Sequence, residues 1–201
     1  MQFDPQEMAQ RSIYKLLTGV IIPRPIGWIS SISEDGIANL APFSFFNAVG
    51  DDPPHVMFST SRSGNSNKDT LNNVLNTKQF VVNMVTEELA EQMNMTAHAV
   101  PSHESEFEFA NLTPLSSVKV KPPRVSESPI TMECELVHHY HLENHNNGGA
   151  TIIIGRIVMF HIDEQMLLED FKINLETYKP ISRLAGAHYA KLGTLFSIKR
   201  N

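Results

Sequence analysis

The sequence predicts a mainly β fold with inserted helices, its strands curled into a closed or split barrel. Residues 130 to 143, ITMECELVHHYHLE, and 150 to 163, ATIIIGRIVMFHID, are long strand-patterned runs. They are joined by NHNNGG, whose Asn and Gly residues suit the left-handed conformations of a hairpin connection. Shorter strand patterns recur at close spacing before them, and two intervening segments change to a helical period. Several antiparallel strands in one small domain are best accommodated by curling the sheet, which removes exposed edges.

Taken in order, residues 5 to 17 place Met8, Ile13, Leu16 and Leu17 at helical spacing and predict a short helix, leading into an extended Val20-Ile21-Ile22 run. Pro23 and Pro25 then bar further helix. Strands are expected over 26 to 32 and 37 to 46, joined through Asp35-Gly36, a hairpin signal in itself. Another strand, 55 to 59, follows Asp51-Asp52-Pro53-Pro54. A helix is expected to start near Ser66, with Asp69 at capping-box spacing and Leu71, Val74 and Leu75 on one face. Residues 79 to 85 return to strand, and TEELAEQMNMTAH reads as a second helix opened by Thr86, with Glu87 and Glu88 in its first turn. Residues 100 to 125, rich in Pro, Ser and Glu, read as a long irregular excursion with one helical turn, a length that in compact domains often marks function. The tail beyond residue 166 holds a helical turn before Pro180 and then SRLAGAHY.

A chain of 201 residues, 41% of them hydrophobic, can bury one core, so residues 1–201 are expected to form a single domain. The formal charge of −6 argues against nucleic acid or anionic lipid as partners. A lone cysteine, Cys134, excludes an intramolecular disulfide and multi-cysteine metal sites. The first residues lack a secretory pattern, and the apolar run at 16 to 22 is too short to span a bilayer. A cytoplasmic location is the expectation.

Two stretches carry candidate chemistry. STSRSGNSNKDT, residues 59 to 70, gathers hydroxyls, Arg62 and Lys68 at a helix start, where unpaired N–H groups and a positive dipole favour an anion. The alternative is an ordinary Ser/Gly-rich loop, and an inward Asp69 would repel a phosphate. In the second stretch, Asn39, Ser44 and the backbone around Ala41-Pro42 can grip the edge of a planar heterocycle, with Trp28, Phe43 or Phe46 near its face. The alternative is a core strand with packed aromatics. Strand alternation places His139 and His141 on one face with Glu133, Glu135 and Val137, close to His138 and His145, which reads as a solvated or oligomer face and not as a metal site. Cys134 falls on the opposite, core face. No G-x-S-x-G elbow, Walker A loop or Rossmann G-x-G-x-x-G occurs.

The ordered set RPIGWISS, G-x-A-N-L-A-P-F-S-F-F, KDT-x-x-N, F-V-V-N and SRLAGAHY, spanning residues 20 to 190, resembles the flavin reductase-like FMN-binding split-barrel family. The branch it resembles contains flavoredoxin and the flavin reductase component of nitrilotriacetate monooxygenase. The resemblance implies a Greek-key split β-barrel, a homodimer, and FMN near the subunit interface. It would place the flavin ring against Asn39, Ala41, Pro42, Ser44 and Phe45, and the phosphate near Ser59, Thr60, Arg62, Lys68 and Thr70. Arg183, Gly186 and Tyr189 match a C-terminal R-L-x-G-x-x-Y element that would lie near the flavin, of the other subunit where the dimer so arranges it. Ala185 stands where many relatives have a second Gly.

Such a protein would reduce flavin with NADH or NADPH and could supply a separate monooxygenase. Hydride passes between two rings, so stacking and orientation suffice, and the flavin itself, with no protein nucleophile or metal, carries the chemistry. Asn39 and backbone N–H groups near Ala41 are the candidate hydrogen-bond donors to its pyrimidine edge. Two other classes stand beside this one. The first is an FMN-holding electron-transfer protein without its own nicotinamide site, and the second is a non-enzymatic barrel that takes another small ligand.

Overall fold

The computed structural model describes residues 1–61, 67–142 and 149–199. A short 3-10 turn at Pro5–Glu7 precedes α1 (Gln10–Val20), β1 (Gly27–Ile32), β2 (Ala38–Phe43), β3 (Phe46–Asp51) and β4 (Pro54–Ser61). There follow α2 (Asp69–Thr77), β5 (Gln79–Met84), α3 (Ala90–Met95), α4 (Glu106–Phe109), β6 (Pro114–Leu115) and β7 (Arg124–Val125). The long strands are β8 (Ile130–Leu142) and β9 (Ala150–Ile162), followed by α5 (Leu175–Tyr178) and a hairpin of β10 (Ile181–Arg183) with β11 (Tyr189–Lys191).

Seven antiparallel strands form one sheet in the order β2-β1-β5-β8-β9-β4-β3. Its two edge strands, β2 and β3, are consecutive in the chain and joined only by Ser44 and Phe45. A flat sheet of this width would set its edges roughly 29 Å apart at about 4.8 Å per strand. Three Cα steps from Phe43 to Phe46 reach at most about 11 Å. The sheet therefore curls until its edges meet without pairing, which is a split barrel whose seam lies between β2 and β3.

Ile29, Phe43, Phe46, Phe58, Phe80, Met132, Cys134 and Ile153 fill the barrel, and α2 adds Leu71 and Val74. Gly155 on β9 is small because Phe80 passes over it: a Cβ there would lie 2.3 Å from the Phe80 ring. Gly155→Ala is expected to lose about 1–3 kcal/mol through overpacking, read as a lowered melting temperature. On the outer face of β1, β2 and β5, a second core of Ile26, Trp28, Leu40, Val85, Met93, Phe107, Leu112 and Val125 lies beneath α3, α4 and the 98–125 excursion. That excursion is pinned by Val125 N–H donating to Asn83 Oδ1 at 2.8 Å and by Ser30 Oγ donating to the Pro123 carbonyl. It forms part of the packed outer layer, with the expected helical turn as α4 and an added two-residue ladder, β6 with β7.

Several local expectations need correction. Residues 18 to 20 belong to α1, with Ile21 as its C-cap, so the helix runs on where an extended segment was expected. The 37–46 strand ends at Phe43, and Phe46–Asp51 is a separate strand. Helical structure after Thr86 starts only at Ala90. Ser66, the expected cap of α2, lies outside the described residues, and Lys68 occupies the N-cap position.

The face assignment of β8 also changes, because register shifts fall between Glu133 and Cys134 and between Leu136 and His138. A bulge at Val137 resets the alternation, so His139 pairs with the buried Ile153 and His141 with the buried Thr151. Those two histidines thus leave the Glu133 side of the strand; His145 lies outside the described residues. Cys134 does sit in the barrel core, where burial pushes its thiol above the usual range. Glu133 is wholly buried, contrary to a solvated face. Its carboxylate accepts from Val118 N–H at 2.7 Å, Lys119 N–H at 2.6 Å and Val120 N–H at 3.0 Å, and it meets His161 Nε2 at 2.6 Å.

Candidate functional site

Two adjoining clefts run along the barrel seam. The first, of about 470 Å³, is lined by Asn39, Ala41 and Pro42 of β2, by Lys68 and Thr70 at the start of α2, and by 96–100 and Glu106 of the outer layer. The second, of about 550 Å³, is lined by Pro42, Ser44, Phe45, Ser59 and Ser61, by Lys68, and by Gln10, Arg11 and Tyr14 of α1. Pro42 and Lys68 border both, so the two make one groove. Asn39, Ala41, Pro42, Ser44, Phe45, Ser59, Lys68 and Thr70, expected from sequence to act together, are thus brought together.

The two ends differ in charge. Around Ser59 the described lining has Arg11 and Lys68 and no carboxylate. Around Asn39 it has Asp69 and Glu106. Asp69, whose position at the helix start threatened an anion site, faces the Asn39 end only. Lys68 Nζ lies 5.5 Å from the Phe43 ring centroid, which holds the ammonium between the two ends.

Strand geometry sorts the remaining candidates. Along β4 the burial alternates, so Ser59 and Ser61 face the groove while Thr60, 1% exposed, turns inward with Thr151. Thr60, expected near the phosphate, therefore keeps its side chain out of the groove, whereas Ser61, one of the hydroxyls of the 59–70 stretch, lines it beside Ser59. Arg62 lies outside the described residues. Trp28 is 0% exposed and donates from Nε1 to Thr96 Oγ1 at 2.8 Å, so it cannot face a ligand. Phe46 belongs to the barrel core, while Phe43, also packed in that core, borders the second cleft.

The main chain of β2 offers less than expected. Leu40 N–H donates to Glu106 Oε2 at 2.9 Å, so Leu40 is the residue whose amide points away from β1. Antiparallel alternation then commits the Ala41 amide to the ladder with Ile29, and Pro42 has no N–H. No free main-chain donor remains at Ala41. Asn39 carries the side-chain donor, and its Nδ2 donates to Thr70 Oγ1 at 3.0 Å.

Arg183, Gly186 and Tyr189 stand apart from this groove in the same chain. The Arg183 guanidinium stacks 4.5 Å from the Tyr189 ring centroid and donates to the Gly186 carbonyl, and Tyr189 faces a different hollow beside α3. Gly186 has φ +60 and makes the left-handed turn, while Ala185 has no positive φ, so a second glycine is not needed there. The link between this hairpin and the groove is Arg24, 5% exposed. It donates to the carbonyls of Thr18 at 2.7 Å, Ile21 at 2.9 Å and Leu184 at 2.9 Å, and its Nε lies 3.4 Å from Ser44 Oγ. Burial, the largest influence, holds the Arg24 guanidinium below its usual range. Nothing in the sequence around Arg24, which opens RPIGWISS, marks it for this role. Glu106 had no sequence signal at all, because its significance depends on β2, a segment far from it in the chain.

The fold and groove define a flavin reductase-like split barrel. The model of the flavin reductase like domain matches residues 19–179, and the chain belongs to that family. Component B of nitrilotriacetate monooxygenase from Bacillus cereus is 40% identical, with a TM-score of 0.95 and 98% of each chain covered. The 2-nitrobenzoate 2-nitroreductase NbaA of Pseudomonas fluorescens is 28% identical, with a TM-score of 0.89, covering 100% of this chain and 96% of that one. Flavoredoxin of Desulfovibrio vulgaris shares the fold at 18% identity and a TM-score of 0.77, with 98% of this chain and 97% of that one covered.

Proposed function

We propose that this protein holds FMN in the seam groove and is an NAD(P)H-dependent flavin reductase. The observation that carries the reading is the groove's two-ended character. The Ser59 end offers hydroxyls with Arg11 and Lys68 and suits a phosphate; the Asn39 end offers an amide and the flat Pro42 wall and suits a heterocycle. Bound flavin would supply the acceptor for a hydride from the nicotinamide ring. The chain's own part is to anchor one end by charge, to orient the other through Asn39, and to leave a face of the ring open. With no G-x-G-x-x-G motif in the chain, a nicotinamide would share this groove.

Neighbouring surface supports a homodimer. Of α1, only Thr18 is buried, and Tyr14, Leu17, Val20, Ile21 and Ile22 stand exposed beside the groove. A second copy seated there would cover this apolar patch and complete the groove wall. Its Arg183 and Tyr189 are the proposed contribution from the C-terminal hairpin. The described residues contain no helix long and apolar enough to cross a membrane. A monooxygenase or another electron-transfer protein is the proposed consumer of the reducing equivalents.

The test is to load the purified protein with FMN, remove oxygen, add NADH or NADPH, and follow visible flavin absorption. Rapid bleaching supports the reductase; retained FMN that stays oxidised until a protein donor is added replaces it with the electron-carrier reading. Lys68→Ala is expected to weaken FMN binding by about 1.5–3 kcal/mol, the worth of one charge-assisted contact, measured by fluorescence titration. An unchanged affinity would remove Lys68 from the phosphate end.

A further inference from the structure

The second cleft is larger than the phosphate end of FMN needs. A phosphate group of five heavy atoms fills on the order of 100 Å³, on the scale of about 30 Å³ for one water, whereas the cleft measures about 550 Å³. Two aromatic side chains that border it stand open: Tyr14 of α1, 61% exposed, and Phe45 of the β2–β3 link, 39% exposed. Arg11 lies three residues before Tyr14, on the same face of α1, and lines the same cleft. Among the described residues Arg11 enters no ion pair, and no carboxylate lines the cleft beside it. Lys68 borders both clefts, whereas Arg11 and Tyr14 border only the second. A flavin phosphate held at the junction therefore leaves the α1 side of the second cleft unfilled.

We propose that the α1 side of the second cleft is a subsite for the adenosine diphosphate end of a dinucleotide, with adenine stacked on Tyr14 and a phosphate paired with Arg11. This rests on the flavin reading above, since a flavin ring in the first cleft is what leaves the second to a further ring. An aromatic side chain and a guanidinium one helical turn apart match a flat base and the phosphates joined to it through one ribose. Phe45 adds a second flat surface, and the described lining holds no carboxylate to repel the diphosphate. FAD and NAD(P)H both carry this moiety. FAD would reach the subsite by continuing from its own flavin, and NAD(P)H by laying its nicotinamide beside a bound one. In the proposed dimer Tyr14 stays a wall of the completed groove, while Leu17, Val20 and Ile21, further along α1, meet the second copy.

The test compares wild type with Tyr14→Ala and Tyr14→Phe. Riboflavin, FMN and FAD are titrated into the flavin-free protein by calorimetry, and KM and kcat for NADH and NADPH are measured with FMN present. Loss of one base stacked on an aromatic ring is expected to weaken binding about tenfold. If the adenylate is that of FAD, Tyr14→Ala raises the FAD dissociation constant by that factor relative to those of riboflavin and FMN. If it is that of NAD(P)H, Tyr14→Ala raises KM by that factor without a matching fall in kcat, and FAD follows FMN. Tyr14→Phe keeps the ring and stays at the wild-type values in both cases. Equal weakening of all three flavins in Tyr14→Ala would assign Tyr14 to the flavin or to the dimer contact, and no change in any value would leave the cleft without an adenine platform. Either result overturns this inference and leaves the flavin reading standing. Failure of the wild type to bind any flavin overturns the flavin reading, and ADP titrated alone then decides the subsite. ADP bound by wild type and weakened about tenfold in Tyr14→Ala retains it, and absence of ADP binding removes it as well.

Discussion

Arg24→Met is expected to destabilise the protein by about 4 kcal/mol, and melting temperature is the measurement. Three carbonyls lose their donor together: Thr18 and Ile21 at the C-terminal end of α1, and Leu184 in the distant hairpin. Hydrogen bonds to a charged group are each worth roughly 1.5–3 kcal/mol, and water re-entering the site recovers part of that sum. For a chain of this length about 4 kcal/mol corresponds to a drop of roughly 10 °C. The described contacts give Arg24 no carboxylate partner. The last carbonyls of α1 take its place, carrying the partial negative charge of a helix C-terminus. Arg24→Lys keeps the charge but cannot span three acceptors on separate segments, so it should recover only part of the loss. A melting temperature within 2 °C of wild type for Arg24→Met, about 1 kcal/mol or less, would show that the guanidinium is dispensable.

Glu133→Ala is the second large effect, about 3 kcal/mol, and it has a pH signature. The substitution leaves the amides of Val118, Lys119 and Val120 and the ring of His161 without their shared acceptor. Burial, the largest single influence, pushes the Glu133 carboxyl up. The three amides and His161 together outweigh it and hold the group below the ordinary carboxylate range. A folded pKa below the unfolded value of about 4.3 means that this stabilisation is fully present above that value. It fades as pH falls through the folded pKa. Wild type and Glu133→Gln should therefore differ most near neutral pH and converge in acid, as read by urea midpoints at several pH values. Faster amide exchange over 116–125 in the variant would locate the loss in that loop.

Much of the fold was legible because its signals are local. The β8–β9 hairpin ends within one residue of the expected limits, since two long alternating runs flank an Asn/Gly connection. The Asp35-Gly36 turn closes as expected, with Gly36 at φ +88 and its amide donating to the Ser33 carbonyl at 3.0 Å. The groove was legible as two separate stretches, one suited to an anion and one to a heterocycle. Their union at Pro42 and Lys68 was not, because strands β2 and β4 lie on opposite sides of the barrel seam.

By itself, then, the sequence determined where most elements lie, which family the chain joins, and that Asn39, Ser44, Ser59, Lys68 and Thr70 belong together, whereas Arg11 reaches the groove only through the fold. Tertiary structure alone decided which of them can act. Thr60 turns inward by strand alternation, and Trp28 is sealed under the outer layer. The bulge at Val137 moves His139 and His141 to the other face. Arg24, Glu106 and Glu133 acquire their surroundings from segments far along the chain, and the Arg24–Leu184 contact spans 160 residues. A residue's period and neighbours in sequence set its backbone, whereas burial and pairing arise only when distant segments meet.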